Sequence, residues 1–209
     1  MVMISEQKRR ILDVARDLFC RFGFAKTTLD DIAEGVGIKK GSLYYYFESK
    51  DVLFSSVVAE LADSIGEQIR AAASGANSAR DSVMRFTRAC LTHTRELFLV
   101  YGITPRVAVE LKPLADEMLS GFTQGLTDYL AGILDSGVKS GEFRPCDTAR
   151  VSAAIQKTLE GLNWTMLLTS KAIESADLGG TIRDVQNIVG LVLDGIASQP
   201  SLSTTSETN

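Results

Sequence analysis

Apolar residues recur every three or four positions along most of the chain, which is the pattern of amphipathic helices. In the N-terminal part, Ile11, Ala15 and Phe19 follow this spacing, with charged residues between them. Ser5 is a suitable residue to cap the start of such a helix, and Gly23 is a suitable residue to end it. The pattern therefore predicts a first amphipathic helix between Ser5 and Gly23.

Two shorter helices and a glycine turn are predicted next. In "TTLDDIAEGVG", Thr28 stands three residues before Asp31, which is the spacing of a capping box at the start of a helix. Gly37 ends that helix, a third helix begins near Lys39, and Ser49 caps a fourth helix. Two helices joined by a tight glycine turn form a helix-turn-helix, whose second helix enters the DNA major groove.

The third predicted helix combines lysines and tyrosines, in the stretch "GIKKGSLYYYFESK". Leu43 and Phe47 can pack inwards. We therefore expect Lys40, Ser42, Tyr44 and Tyr45 to project outwards, where ammonium and hydroxyl groups can bond phosphate oxygens and base edges. Lys50, in the first turn of the fourth helix, adds a cation beside backbone N–H groups, which is a common phosphate-binding arrangement. The predicted DNA-contacting residues are Thr28, Lys39, Lys40, Gly41, Ser42, Tyr44, Tyr45, Tyr46 and Lys50. In the alternative interpretation, the tyrosines pack on a neighbouring domain.

The rest of the chain continues with helical periodicity and without strand-like alternation, so we predict an all-α fold. Ser78 and Asp147 are suitable N-caps, and Pro113 is suited to the first turn of a long helix. The last helix is predicted to begin after Gly180. We divide the chain into a three-helix helix-turn-helix domain, a second helical domain and a frayed polar tail, at residues 1–53, 54–198 and 199–209.

Charge is distributed unevenly along the chain. The net charge is −4, but residues 1–50 hold nine Lys and Arg against seven Asp and Glu, a balance of +2, which leaves −6 for the remainder. This asymmetry indicates a small basic module attached to an acidic body. The chain has neither a long apolar run nor an apolar stretch at its N-terminus, so we expect a cytoplasmic protein without a membrane partner.

The sequence offers little for catalysis or metal binding. Its three cysteines are Cys20, Cys90 and Cys146, they include no C-x-x-C pair, and the single histidine is His93. Cys90 and His93 can share one helix face, but two ligands do not make a metal site. We therefore predict no enzyme, no metal site and no cofactor, and interpret Cys90 as a buried thiol. A redox-responsive cysteine and a Cys90–His93 catalytic dyad are the alternatives.

The stretch "ILDVARDLFCRFGFAKTTLDDIAEGVGIKKGSLYYYFESKDVL" resembles the DNA-binding domain of the tetracycline-repressor (TetR) family of bacterial transcription regulators. Features that carry the resemblance include Thr28, Gly37, Gly41 and the "LYYYF" segment. The resemblance implies a homodimer that binds a palindromic double-stranded DNA operator and usually represses transcription until a small-molecule inducer releases it. Lys39 departs from the family, which usually has a serine or threonine there as a helix cap. A missing cap costs about 1 kcal/mol.

The resemblance also implies that residues 54–198 form a ligand-binding and dimerisation domain. A small-molecule cavity would lie among the middle helices, and its candidate lining residues are Phe86, Phe98, Tyr101, Met118, Phe122, Tyr129, Trp164 and Met166. Small residues on the apolar surfaces of the last two helices favour close helix approach, as in a four-helix dimer interface. The candidate interface residues are Leu159, Gly161, Leu162, Ile188, Gly190, Val192 and Gly195. Alternatively, these glycines lie inside one subunit.

A second class of function stays open at this point. A DNA-binding architectural or localisation factor would share the N-terminal domain, use its acidic body only for dimerisation, and respond to no inducer. No sequence motif distinguishes it from a ligand-responsive repressor.

Overall fold

The computed structural model describes residues 6–100, 105–168 and 178–198, with side chains at 6–93, 109, 119–165 and 179–198. These residues form eight helices, and an isolated β-bridge joins Phe143 to Ala197. The predicted all-α fold is confirmed. The helices are α1 Glu6–Phe22, α2 Leu29–Val36, α3 Lys40–Tyr46, α4 Lys50–Ala73, α5 Ala79–Val100, α6 Pro105–Lys139, α7 Thr148–Leu168 and α8 Leu178–Ile196.

Helix α4 belongs to two hydrophobic cores. Leu53 and Val57 pack with the buried residues of α1, α2 and α3 in an N-terminal core. Ile69 and Ala73, near the other end of α4, lie in a second core with residues of α5 to α8. The boundary predicted after residue 53 therefore falls within a continuous helix, and the N-terminal core extends to Val57.

The second core is assembled from amphipathic helices whose starts are capped as the sequence predicts. The Ser78 hydroxyl accepts a hydrogen bond from the Asp81 N–H at 3.0 Å, at the start of α5. At the start of α7, the Asp147 carboxylate accepts from the Arg150 N–H at 2.9 Å. Side-chain caps of this kind satisfy backbone donors that have no partner within the helix.

The connection between α6 and α7 holds three helices together. Glu142 accepts hydrogen bonds from the backbone N–H groups of Ala79 and Arg80, at 2.7 and 2.9 Å, so its carboxylate sits at the positive end of α5. The Arg144 guanidinium donates to the carbonyl of Gly195 at 2.6 Å, near the end of α8. One short connection therefore fixes the ends of α5 and α8 relative to α6.

Two predicted helix starts were wrong. Helix α6 begins at Pro105, so Pro113 lies inside it and does not start it. Proline suits the first helical position, whereas an interior proline removes one backbone hydrogen bond from a helix that has many others. Helix α8 begins at Leu178, which places Gly179 and Gly180 in its first turn. None of the helices in the described ranges has the length and apolarity that a membrane span requires.

Candidate nucleic-acid interface

A reciprocal capping box starts α2. The Thr28 hydroxyl accepts from the Asp31 N–H at 3.1 Å, and the Asp31 carboxylate accepts from the Thr28 N–H at 2.8 Å. The carboxylate also accepts from the Thr28 hydroxyl at 2.7 Å, and these hydrogen bonds hold the pKa of the Asp31 carboxyl below its usual value. The predicted cap is confirmed. Thr28 thus has a structural role in α2 beside its predicted contact with DNA.

The turn between α2 and α3 depends on Gly37. Its φ of +77° lies in the left-handed region, which a side chain makes unfavourable by about 1–2 kcal/mol. The Gly37 N–H donates to the carbonyl of Glu34 at 3.0 Å, and the Ile38 N–H donates to that of Ala33 at 2.9 Å. This pair of bonds is a Schellman motif, which ends α2 within one residue and lets α3 start in a new direction.

Helix α3 presents one side to the core and the other to solvent. Leu43 and Phe47 are fully buried in the N-terminal core. On the opposite side, Tyr45 is 85% exposed and Tyr44 is 47% exposed. Lys39, Lys40, Gly41 and Ser42 are exposed as well. The structure therefore gathers six of the predicted DNA-contacting residues on a single open surface.

Tyr46, another of the predicted DNA-contacting residues, is less exposed than Tyr44 and Tyr45. It is half-buried and packs against the N-terminal core. Its ring meets that of Tyr45 edge-on, with the centroids 5.2 Å apart. Tyr46 stands three residues after Leu43, and residues at that spacing share a helix face. Its position favours support of the Tyr45 ring, and its own DNA contact stays a prediction.

Lys40 links the two helices of the motif. Its ammonium donates to the Asp30 carboxylate of α2 at 2.7 Å, and both side chains are exposed. This hydrogen bond raises the pKa of Lys40. Lys40 remains cationic, but Asp30 neutralises part of its charge. The sequence analysis missed Asp30, since nothing in the local pattern pairs residues ten positions apart.

Lys50 has partners within the protein that the sequence did not predict. Its ammonium donates to the carbonyls of Phe24 and Thr27, at 2.9 and 3.2 Å, and lies 4.3 Å from the centroid of the Phe24 ring. An ammonium has three donors, so one remains for another acceptor. Lys50 therefore holds the α1–α2 connection against the start of α4. Its predicted phosphate contact would use the remaining N–H.

The N-terminal helices thus define the class of protein. A short helix docked by Leu43 and Phe47, reached through a left-handed glycine turn, presents lysines and tyrosines outwards. This is the geometry of a helix-turn-helix, whose recognition helix reads base edges while neighbouring groups bind phosphates.

The comparisons with known proteins agree with this class. The family model described as "Bacterial regulatory proteins, tetR family" matches residues 11–57. The HTH-type transcriptional repressor KstR2 of Rhodococcus jostii is 32% identical over 148 residues, which cover 67% of this chain and 69% of that protein. The HTH-type transcriptional regulator RutR of Escherichia coli is 27% identical over 201 residues, or 92% of each chain. The chain belongs to the TetR family of bacterial transcriptional regulators.

A solved structure supports the fold over almost the whole chain. A transcriptional regulator from Cytophaga hutchinsonii superimposes with a TM-score of 0.74 at 23% identity, covering 91% of this chain and 98% of that one. At this identity the likeness concerns the fold alone. The prediction of which residues contact DNA therefore depends on the geometry of this chain and not on the comparison.

The predicted pocket residues are only partly described. Phe86 is buried, and Phe122 and Tyr129 pack against the same core, with the Phe86 and Tyr129 ring centroids 6.2 Å apart. Trp164 is half-buried on α7. Tyr101 lies outside the described residues, as do the side chains of Phe98, Met118 and Met166. The pocket itself stays a prediction.

The predicted interface residues differ in burial and fall into three groups. Leu159 is buried in the second core, and Gly190 is buried with the Arg80 guanidinium 3.7 Å from where its Cβ would stand. Both therefore have contacts within their own subunit, which agrees with the alternative that such glycines lie inside one subunit, and their part in an interface stays a prediction. Leu162 packs partly against the same core. The exposed members are Gly161, Ile188, Val192 and Gly195.

Helix α8 adds an exposed residue that the sequence analysis missed. Leu191 is 72% exposed, and it stands three residues after Ile188 and next to Val192, both of which are exposed too. The helical spacing from Ile188 was a signal that could have revealed it. These three residues give α8 a contiguous apolar face.

Cys90 is a buried thiol of the second core. Burial raises the pKa of the Cys90 thiol to about 12, so the reactive thiolate is absent at neutral pH. Within the described ranges, no group of three or more His, Cys, Asp or Glu is placed to hold a metal ion. The interpretation of Cys90 as a buried thiol is confirmed.

Proposed function

We propose that this regulator binds a palindromic operator as a homodimer and is released from it by a small molecule. The observation that carries the proposal is the outer surface of α3, where Tyr45 is the most exposed of the large hydrophobic residues in the described ranges. Tyr44 and Lys40 lie beside it. A tyrosine ring with a free hydroxyl offers both an apolar contact and a hydrogen bond to a base edge.

The charge distribution supports one orientation on DNA. Residues 1–50 carry +2 and the remainder carries −6, so a polyanion is attracted to the α1–α3 end and repelled by the body. This difference also predicts strong salt dependence, because each phosphate that a lysine neutralises releases counterions.

The apolar face of α8 supports a dimer. Burying Ile188, Leu191 and Val192 would stabilise an association by about 1.5–3 kcal/mol for each side chain that becomes fully covered. In a two-fold dimer the same face contributes from both subunits. Gly161 and Gly195 are exposed, and no atom from outside their own stretch of helix lies within 4 Å of the position of an added Cβ, so a partner helix can approach closely there.

Repression is favoured by the relative KstR2, which its name describes as a repressor. Operator binding is tested by footprinting the full chain on DNA flanking its own gene, with random DNA as the comparison, at about 150 mM salt, where non-specific binding is micromolar or weaker. We expect tight, protected binding to a palindrome. Equal and weak binding to both, repeated with a selected pool of random sequences, would contradict the proposal and favour an architectural factor.

Dimerisation is tested separately by sedimentation. We expect the wild-type chain to be a dimer and Leu191→Glu to be a folded monomer that loses operator affinity. Gln68→Glu, at an exposed residue of α4, adds the same single negative charge away from α7 and α8 and is the control. A dimer that persists in Leu191→Glu would contradict the role of the α8 face.

A further inference from the structure

Two buried acceptors on α7 have no hydrogen-bond partner. Gln156 is only 6% exposed, and its side-chain oxygen accepts no hydrogen bond. One turn further along, Oε1 of Glu160 is also buried without a partner. These are the two buried side-chain atoms left without a bond in the described part of the chain. Leaving such an acceptor buried and unpaired is unfavourable, so each one calls for an explanation.

The neighbouring buried hydroxyls do not supply the missing donors. Thr87 of α5 donates to the carbonyl of Val83 at 2.7 Å, and Ser152 of α7 donates to that of Ala149 at 3.0 Å. Each hydroxyl proton is therefore used within its own helix. In the described ranges, the buried polar residues are Thr27, Thr87, Ser152 and Gln156.

The two acceptors belong to one row of side chains. Ser152, Gln156, Glu160 and Trp164 follow one another at four-residue spacing, which keeps them along one side of α7. The adjacent row, Ile155 and Leu159, is buried in the second core. Helix α7 packs against α5 and α6. An amide oxygen, a carboxylate and an indole ring are therefore presented in order along the same side of the helix.

We propose that Gln156 and Glu160 bind the donor groups of the small molecule that regulates this protein, and that this molecule is a cationic amine, amidine or guanidine carrying an apolar part. A carboxylate accepts hydrogen bonds and cannot donate them, so its complement is a donor, and a charged donor forms the stronger bond. Trp164 would contact the apolar part or stack against the cation. The inference rests on the proposed function, since it specifies the chemistry of the proposed ligand site.

The first test needs no ligand. If the oxygen of Gln156 is unpaired because it binds a ligand, then Gln156→Met should stabilise the full chain, since it removes an unpaired buried oxygen. Methionine has a side chain of similar length and no branch. We expect its melting temperature to rise by roughly 2–8 °C. Gln68→Met, at an exposed position of α4, is the control and should leave the melting temperature nearly unchanged. A lower melting temperature for Gln156→Met, with the control unchanged, would overturn the proposal by showing a structural role.

The second test uses three probes of the same shape. Benzamidine is cationic, benzamide is neutral and benzoate is anionic, and each is added to the full chain at up to about 10 mM. We expect benzamidine to raise the melting temperature by roughly 3–5 °C in a saturable manner, and benzoate to have no such effect. Glu160→Gln keeps the shape of the side chain and should abolish the response. Equal responses to benzamidine and benzoate, no response to any probe, or an unchanged response in Glu160→Gln would each overturn the proposed ligand class.

Operator binding by the same preparations separates this inference from the proposed function. Wild-type protein that fails to bind DNA contradicts the proposed function, whatever the melting temperatures are. If wild-type and variant proteins bind DNA alike but one of the overturning results above is obtained, only the ligand inference is contradicted.

Discussion

Asp30→Asn is expected to strengthen DNA binding. The Asp30 carboxylate holds the Lys40 ammonium at 2.7 Å on the side of the protein that we expect to face DNA. Asparagine keeps the size of the side chain and removes its charge. Lys40 then becomes available to a phosphate, and one anion that would repel DNA is lost.

The magnitude follows from counterion release. One additional neutralised phosphate changes the slope of log K against log salt by about 0.9, which corresponds to about fivefold in affinity at 0.15 M salt. On a two-fold operator both subunits contribute, so we expect a slope steeper by about 1.8 and an affinity higher by roughly 30-fold. Operator and random DNA should benefit alike, since phosphate contacts carry no sequence information.

The assay is operator binding by fluorescence anisotropy at four or more salt concentrations. Asp194→Asn is the matched control, because Asp194 of α8 pairs with Arg80 at the same 2.7 Å distance and with similar exposure. Asp194→Asn also removes one negative charge, but from the second helical domain. An affinity that falls in Asp30→Asn would refute the reasoning and show that Asp30 positions Lys40 for DNA. Equal gains in both variants would also refute it, because net charge alone would then explain the change.

Three further predictions concern single side chains. Tyr45→Ala should lower operator affinity on the order of tenfold and random-DNA affinity much less, and equal losses would show that Tyr45 does not read bases. Lys50→Met should lower the stability of the N-terminal domain by about 1–3 kcal/mol, because two hydrogen bonds and a contact with Phe24 are lost. A chemical denaturation midpoint equal to that of wild type would contradict the structural role given to Lys50. A slope of log K against log salt that is smaller by about 1 in DNA binding would support the predicted contact of Lys50 with a phosphate. Glu142→Ala should lower the stability of the second domain by about 2–4 kcal/mol, because two charge-assisted bonds to the start of α5 are lost. This unfolding is followed by the fluorescence of Trp164, the only tryptophan of the sequence. A loss of stability no larger than that of Glu67→Ala, at an exposed position, would contradict the prediction.

The helix-turn-helix was predictable because its signals are local. The capping box of Thr28 and Asp31 spans four residues, and the turn needs a glycine at Gly37, where φ is positive. The missing cap at Lys39 was inferred by comparison with the family, which usually has a serine or threonine there, and it agrees with the structure, where Lys39 makes no side-chain capping bond. Interactions that close within one helical turn leave a pattern in the sequence.

The contacts that the sequence did not reveal join distant positions. Lys50 reaches carbonyls 23 and 26 residues away, and Glu142 caps a helix that starts 63 residues before it. Gly161 and Gly190 looked equivalent as small residues on apolar helices. Only the packing of Arg80 over Gly190 separates them. The local sequence around a residue carries no information on such distant partners. The contacts and the burial of these residues are therefore known only from the structure.

Helix α4 connects the N-terminal core to the second core, so it is the element that could transmit the effect of the proposed ligand to the DNA-binding surface. Its first turns lie in the N-terminal core, and further along it contacts α6, where the Tyr129 hydroxyl donates to the Arg70 carbonyl at 3.2 Å. At Gly66, an added Cβ would stand only 3.1 Å from the Phe122 ring, so the two helices are closely packed. Helix α6 packs on α7 as well as on α4.

In the proposed mechanism, a ligand held by α7 therefore reaches α3 through α6 and α4. Close packing favours a few discrete arrangements over gradual deformation, so a small shift of α6 can move α4 as a unit. The ligand has to bind more tightly to the arrangement that does not fit the operator, because equal affinity for both arrangements would release nothing. The unpaired acceptors of Gln156 and Glu160 provide a source for that difference, if only one arrangement brings both of them to the same ligand.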